Sequence, residues 1–303
     1  MDKSFYNLPL DAASPAITKS FFANNPRKHD IQTNWTTFED QGMTSDTMMD
    51  LFANRIPVVR QNRFLSSEEC ERMLEVLKTH KMGAYHLENT WPRLGSVGIT
   101  NFDYISDQDQ YLHNVQQARS LQVRWKEEAG IDILDRVATK IQEVTKITTR
   151  VAREGDREYF AGIVRAADAG IAIHADWAPY ETPTWSVGRL VGQLTWNILL
   201  NPVPGGETII YDRQWNAPDD DLAWRKTIQA DTYHRKMLEG RPFKVMMAVP
   251  GDLTFFNPRN FHEVLPCDTS KKHPIAPIRF TVSSFIGYIP SDGSKPDTLM
   301  LWS

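Results

Sequence analysis

The run Ile171-Ala172-Ile173-His174-Ala175-Asp176-Trp177 ends an apolar stretch in His-x-Asp. Alternate side chains of a strand share a face, so His174 and Asp176 point the same way and can take two neighbouring positions on a metal ion. A third ligand must come from elsewhere, and His262 is the candidate. It follows Pro250-Gly251-Asp252-Leu253-Thr254-Phe255-Phe256-Asn257, read as a turn, a strand and a loop that delivers a histidine to a barrel mouth. Two histidines and one carboxylate on one face leave three positions open on Fe(II).

Further along, Ile278-Arg279-Phe280-Thr281-Val282 reads as a strand that carries Arg279 and Thr281 on one face. An arginine fork suits a carboxylate gripped by two hydrogen bonds, and the Thr281 hydroxyl can add another. An open iron site with an arginine set for the far end of a dicarboxylate is the arrangement needed to chelate 2-oxoglutarate, with O2 in the remaining position. His-x-Asp alone is a weak signal, and His86-Leu87-Glu88 offers ligand types at the same spacing. That second run lies in a polar stretch instead of ending an apolar strand. The joint pattern is what carries the reading. Zinc also accepts two histidines and a carboxylate, as in hydrolases or isomerases, but would leave Arg279 without a role. A metal-binding protein without turnover is the other alternative.

These residues need a scaffold. Residues 1–45 are polar and aperiodic and read as an arm, wrapped on the body or partly disordered; 46–303 read as one domain. Ile56–Arg60 reads as a short strand. Ser66 with Glu69 forms a capping-box pattern before Cys70, Met73, Leu74 and Leu77 on one helical face. Residues 118–146 read as one or two helices broken near Gly130. The helical part spans about 46–150. From about 157 to 290 the texture becomes short apolar runs between turn residues, interrupted by an expected helical insertion at 218–239. The fold class is α+β, a double-stranded β-helix (jelly-roll, cupin-like) core with flanking helices.

Side chains beyond the triad have two readings each. Arg165 is an edge charge or a grip for a substrate or co-substrate carboxylate. Trp177 adjoins a ligand and lies on the pocket rim or the opposite face, while the other tryptophans read as packing. Leu94–Phe102 is an ordinary loop or a substrate lining in which Leu94 and Phe102 take part. Gly205-Gly206 reads as a hairpin turn, and Asp219-Asp220-Asp221 as an acidic helix start.

A net charge of −4 and a pI near 6.1 argue against a nucleic-acid partner. No run of about 18 apolar residues suggests a membrane span, and the absence of a signal-peptide pattern with only Cys70 and Cys267 suggests a cytoplasmic protein. A small-molecule substrate is expected, and no feature sets an oligomeric state.

From these motifs the chain resembles the Fe(II)/2-oxoglutarate-dependent oxygenases, and within them the welwitindolinone-type carbon halogenases and their hydroxylating relatives. The likeness rests on Pro204-Gly205-Gly206-Glu207-Thr208-Ile209-Ile210-Tyr211 with Trp215-Asn216, on Arg279-x-Thr281 and on the final Trp302-Ser303. It implies iron held by His174, Asp176 and His262, and a natural-product or amino-acid-derived substrate oxidised at a C–H bond. Halogenating members have Gly or Ala where the carboxylate stands, and chloride fills the vacancy. Asp176 occupies that place here, so hydroxylation leads, with oxidative cyclisation or desaturation second.

Overall fold

The computed structural model describes residues 33–84, 95–225, 233–268 and 278–303. Sixteen strands run in chain order among them: β1 Gln41–Gly42, β2 Val59–Gln61, β3 Gly83–Ala84, β4 Gly95–Val97, β5 Thr148–Val151, β6 Arg153–Glu154, β7 Arg157–Glu158 and β8 Ile163–Ala166, then β9 Ile171–His174, β10 Gly192–Leu199, β11 Thr208–Gln214, β12 Phe243–Met246, β13 Leu253–Phe256, β14 Asn260–Val264, β15 Phe280–Ile289 and β16 Thr298–Trp302. They form a ten-stranded sheet in the order β1-β2-β13-β10-β15-β8-β4-β3, with β16 and β5 joined through β15, a four-stranded sheet β12-β11-β14-β9, and the small β6-β7 ribbon. Helices and sheets combine as an α+β protein.

The helices cover one face of the large sheet. Ser67–Lys78 starts at a capping box, with the Glu69 amide donating to Ser66 Oγ and the Ser66 amide to Glu69 Oε2 at 2.8 Å. Its Cys70, Met73, Val76 and Leu77 are buried. After Ser120–Arg124 the chain widens into one π-turn, Trp125–Ala129, and stops at Gly130 in the left-handed region (φ 71°) before Ile133–Thr145 begins. The break expected near Gly130 is therefore present. Met48, Leu51, Met73, Trp125, Val137 and Ile141 pack with Leu194, Trp196 and Ile198 of β10, Phe255 of β13, and Val282 and Ile286 of β15.

Trp125 is fully buried and its indole N–H donates to the Met73 carbonyl at 2.9 Å. Trp125→Ala removes this packing and leaves a cavity, so stability is expected to fall by about 3–5 kcal/mol, read as an earlier urea midpoint at unchanged slope.

The alternation that buries Leu194, Trp196 and Ile198 turns Thr195 and Asn197 to the other face. Register places Phe285 and Phe256 beside Thr195, Ser283 and Thr254 beside Asn197, and Arg165 beside Thr281. This face meets the four-stranded sheet, where the Phe256 and His262 rings lie 4.9 Å apart and Ile210 packs on Phe256. Polar side chains of the large sheet are thus turned toward the four-stranded sheet.

Several expectations shift. The large sheet takes β1 from the stretch read as an arm, β3 and β4 from the part expected to be helical and β16 from beyond residue 290, while β2 falls where the short strand at Ile56–Arg60 was expected. Residues 33–45 lie on the body: Thr33 Oγ1 donates to Asp212 at 2.6 Å, Trp35 is 4% exposed, and β1 pairs with β2. Among the described residues of 218–239 the expected helical character is present in short pieces: a helical segment from Asp219 that widens into a π-helix at Asp221–Arg225, and a 3-10 helix at Arg235–Leu238. The acidic run opens that helical segment as expected, and its side chains also tie it down: Asp220 pairs with Arg213, and Asp221 accepts from Trp215 Nε1 and Tyr233. Gly205-Gly206 is not a hairpin turn: β10 and β11 belong to different sheets, and the glycines lie in the crossover between them.

Candidate metal centre

β9 and β14 are antiparallel neighbours, and their register sets His174 directly opposite His262. Cross-strand partners share a face, so the two rings stand side by side with centroids 4.1 Å apart. His262 thus lies within a strand, not on the expected loop. Asn260-Phe261-His262-Glu263-Val264 has too many polar residues to read as a strand, yet it is buried throughout because both of its edges are paired.

Asp176 lies just past the end of β9. Its amide donates to the Pro258 carbonyl at 2.9 Å, which ties it to the turn that leads into β14. Its Oδ2 stands 3.9 Å from His174 Nε2 and 3.7 Å from His262 Nε2, too long for good hydrogen bonds. One ligand atom from each of the three residues lies within 4.8 Å of the others, and among the described residues no other such group of His, Cys, Asp or Glu forms.

The donor chemistry fits a metal. His174 Nδ1 faces the Ala172 carbonyl at 2.8 Å and His262 Nδ1 the Asn260 carbonyl at 2.9 Å. A carbonyl only accepts, so each Nδ1 carries the hydrogen and each Nε2 presents a lone pair toward Asp176. Burial pushes His262 well below its usual pKa, with the neighbouring His174 adding to the effect. Burial likewise raises the Asp176 carboxyl, against the pull of His174, Arg165 and Arg225. The neutral imidazole is the ligating form, and a cation among these atoms relieves the cost of burying the carboxylate. Two nitrogens and one oxygen suit Fe(II).

Arg279 precedes β15 and is 6% exposed. Its carbonyl accepts from the Ala167 amide at 3.1 Å. The buried Nε has no hydrogen-bond partner, and among the described residues no carboxylate lies within ion-pair distance of the guanidinium. Burial pushes its pKa down to about 10, so it stays charged at neutral pH. Thr281, 4% exposed, lies two residues on and opposite Arg165. Arg165 Nη1 donates to Ser283 Oγ at 2.6 Å, and its charge is felt at both Asp176 and His262.

Trp177 is partly buried, lies 4.9 Å below the Arg259 guanidinium, and donates its amide to Glu181 at 2.8 Å. Phe102 meets the Phe285 ring edge-on at 5.8 Å. Leu94 lies outside the described residues, as do His86 and Glu88. The sequence reading passed over Asn197, Ser283, Phe256 and Glu207. The polar alternation Thr195-x-Asn197 inside an apolar strand was the available signal for the first.

The family profile described as carrier-protein-independent halogenase WelO5 matches residues 33–295. The chain belongs to this family. A curated relative, the leucinostatins biosynthesis cluster protein S of Purpureocillium lilacinum, is 40% identical over 221 residues, covering 72% of this chain and 89% of that protein. Among solved structures, a novel N-substituted L-amino acid dioxygenase from Burkholderia ambifaria AMMD is 14% identical with a TM-score of 0.55, covering 86% of this chain and 91% of that one. The same enzyme in complex with alpha-KG is 15% identical with a TM-score of 0.52, over 84% and 90% of the two chains. At these identities the likeness is one of fold. The resemblance drawn from the motifs therefore holds at the level of the family. No helix among the described residues is long and apolar enough to cross a membrane.

Proposed function

We propose that the protein is an Fe(II)- and 2-oxoglutarate-dependent dioxygenase that hydroxylates a C–H bond of a natural-product or amino-acid-derived small molecule. The observation that carries this reading is the pairing of a converged His174–Asp176–His262 donor set with a buried Arg279 whose Nε has no partner. The two sheets are read as the walls of a double-stranded β-helix, with residues 46–303 as the oxygenase domain. Membership of a halogenase family and a relative from a biosynthesis cluster support a secondary-metabolite substrate.

In this reading His174 and His262 hold the metal through Nε2, and Asp176 through a carboxylate oxygen. With 2-oxoglutarate and O2, bound iron supplies an oxidant strong enough to break an unactivated C–H bond. Each Nδ1–H bond to a strand carbonyl fixes its ring against rotation. Arg279 receives the far carboxylate of 2-oxoglutarate in a place where water has been excluded, and the Thr281 hydroxyl adds a hydrogen bond. Arg165 attracts the remaining anionic end. Phe256 shields the His262 ring, and Trp177, Phe102 and Phe285 are candidates to line the substrate side. Asp176 fills the position that a halide would need, which favours oxygen insertion over halogenation despite the family match.

The test is anaerobic addition of Fe(II) and 2-oxoglutarate, followed by the weak visible charge-transfer band of an iron–keto-acid chelate. The wild type is expected to show the band and His262→Ala to lose it. Wild-type protein that binds iron without the band overturns the 2-oxoglutarate reading, and stoichiometric zinc in its place points to hydrolytic or isomerase chemistry.

A further inference from the structure

The crossover Pro204–Glu207 belongs to no strand and touches no metal ligand, yet its chain is clamped. The Asp268 amide donates to the Pro204 carbonyl and the Leu265 amide to the Glu207 carbonyl, both at 2.8 Å, and Gly205 bridges to Cys267. Gly206 adopts φ +75°, and a Cβ placed there would lie 2.9 Å from Arg279 Cδ and 3.2 Å from its Nε. The arginine stem therefore rests on the bare α-carbon of Gly206, a space that any side chain would fill. The next residue, Glu207, is 6% exposed, and its Oε2 has no hydrogen-bond partner. Its charge acts on Arg279 without forming an ion pair within 4.0 Å. Two buried, opposite, incompletely satisfied charges thus lie close but apart, and the glycine next to one in the chain carries the stem of the other.

We propose that Gly206 and Glu207 form the seat of Arg279, Gly206 setting where the guanidinium stands and Glu207 acting as its resident counter-charge, so that together they fix the affinity and length selectivity for the dicarboxylate co-substrate. This inference rests on the 2-oxoglutarate reading above. Glu207 compensates the arginine while the site is empty, and the incoming carboxylate then completes the neutralisation. A buried carboxylate this close also opposes the anionic ligand, so affinity is held below what Arg279 alone would give. Both are positioning residues: neither need touch the reacting atoms.

The experiment is titration of the Mn(II)-loaded full chain with 2-oxoglutarate, oxaloacetate and 2-oxoadipate by calorimetry, together with thermal unfolding with and without 2-oxoglutarate. Gly206→Ala is expected to weaken 2-oxoglutarate about 10- to 100-fold and to narrow its advantage over the shorter and longer acids, because the guanidinium is displaced. In turnover with Fe(II), the KM for 2-oxoglutarate rises while kcat changes by less than about twofold. Gly205→Ala is the control, since it strains the same turn (φ +76°) against the backbone of Pro266 and Asp268 instead of against the arginine. It is expected to leave the selectivity in place. Glu207→Gln, which keeps the shape, is expected to lower the melting temperature of the ligand-free protein and to tighten 2-oxoglutarate by about three- to thirtyfold. That variant also decides the matter if Gly206→Ala does not fold.

Wild-type binding that is lost in Arg279→Ala but unmoved in both Gly206→Ala and Glu207→Gln removes the seat and leaves the 2-oxoglutarate reading standing. An equal loss of stability in Glu207→Gln with and without 2-oxoglutarate likewise assigns Glu207 to the fold alone and overturns its role. Absence of saturable 2-oxoglutarate binding in the wild type removes both.

Discussion

Arg279→Leu is expected to weaken 2-oxoglutarate binding by about 10²–10³-fold while leaving metal binding intact. The residue is buried and carries a charge with no described ion-pair partner, so the ligand carboxylate meets it in a place water does not reach. Removing one member of such a buried pair strands the other, which costs about 3–5 kcal/mol, and each 1.4 kcal/mol is a factor of ten. Arg279→Lys keeps the charge but not the planar fork, so a smaller loss, about tenfold, is expected. Calorimetric titration of the metal-loaded protein measures both. His174 and His262 lie on β9 and β14, Asp176 just past β9 and Arg279 ahead of β15, so iron content is the internal control. If Arg279→Leu binds 2-oxoglutarate like the wild type, the co-substrate is held elsewhere and the central assignment is wrong. The leucine variant also leaves the buried Glu207 without its counter-charge, so the ligand-free protein is expected to melt earlier than the wild type, and unchanged iron content is what separates lost recognition from lost folding.

The residues proposed to hold the metal were legible in the sequence because their types and local spacing depend on short-range geometry. His174 and Asp176 lie at the end of an apolar run whose period of two is visible without knowing its neighbours, and Arg279-x-Thr281 has the same character. The partnership of His174 with His262 was legible only as a likelihood of type. Their side-by-side placement is a register between strands far apart in the chain, set by pairing and not by local pattern. The crossover glycines show the opposite failure. Gly205-Gly206 carries the local signature of a hairpin, but a hairpin also requires its two flanking strands to pair with each other. Here they go to separate sheets, and the positive φ at Gly206 serves a close approach to Arg279. β16 escaped notice for a related reason: Thr298–Trp302 is short and follows a polar loop, and only its pairing to β15 and β5 makes it a strand.

Asp176→Gly addresses the residue that, in the reading proposed above, disfavours halogenation. It is expected to lose metal affinity by more than the roughly 10–100-fold that outer-shell substitutions cost, and to lose oxygenation of the natural substrate with it. The surroundings then favour replacement by a small anion. Arg165 and Arg225 both act electrostatically on the Asp176 position, and in the wild type they lower the cost of its buried carboxylate. Without that carboxylate the positive field remains and the space is free, so chloride or bromide is expected to restore part of the lost metal affinity where nitrate or gluconate does not. The measurement is metal content after dialysis in each salt, with mass spectrometry of the product for incorporated halogen. Asp176→Asn keeps the volume and an oxygen donor but not the charge, and is expected to retain more metal than glycine while gaining nothing from halide. Two results sink the argument. Full metal affinity in Asp176→Gly without any halide means that Asp176 is not a ligand, and equal recovery in every salt means that the vacated position takes no anion and that the carboxylate is not what keeps this chain from halogen chemistry.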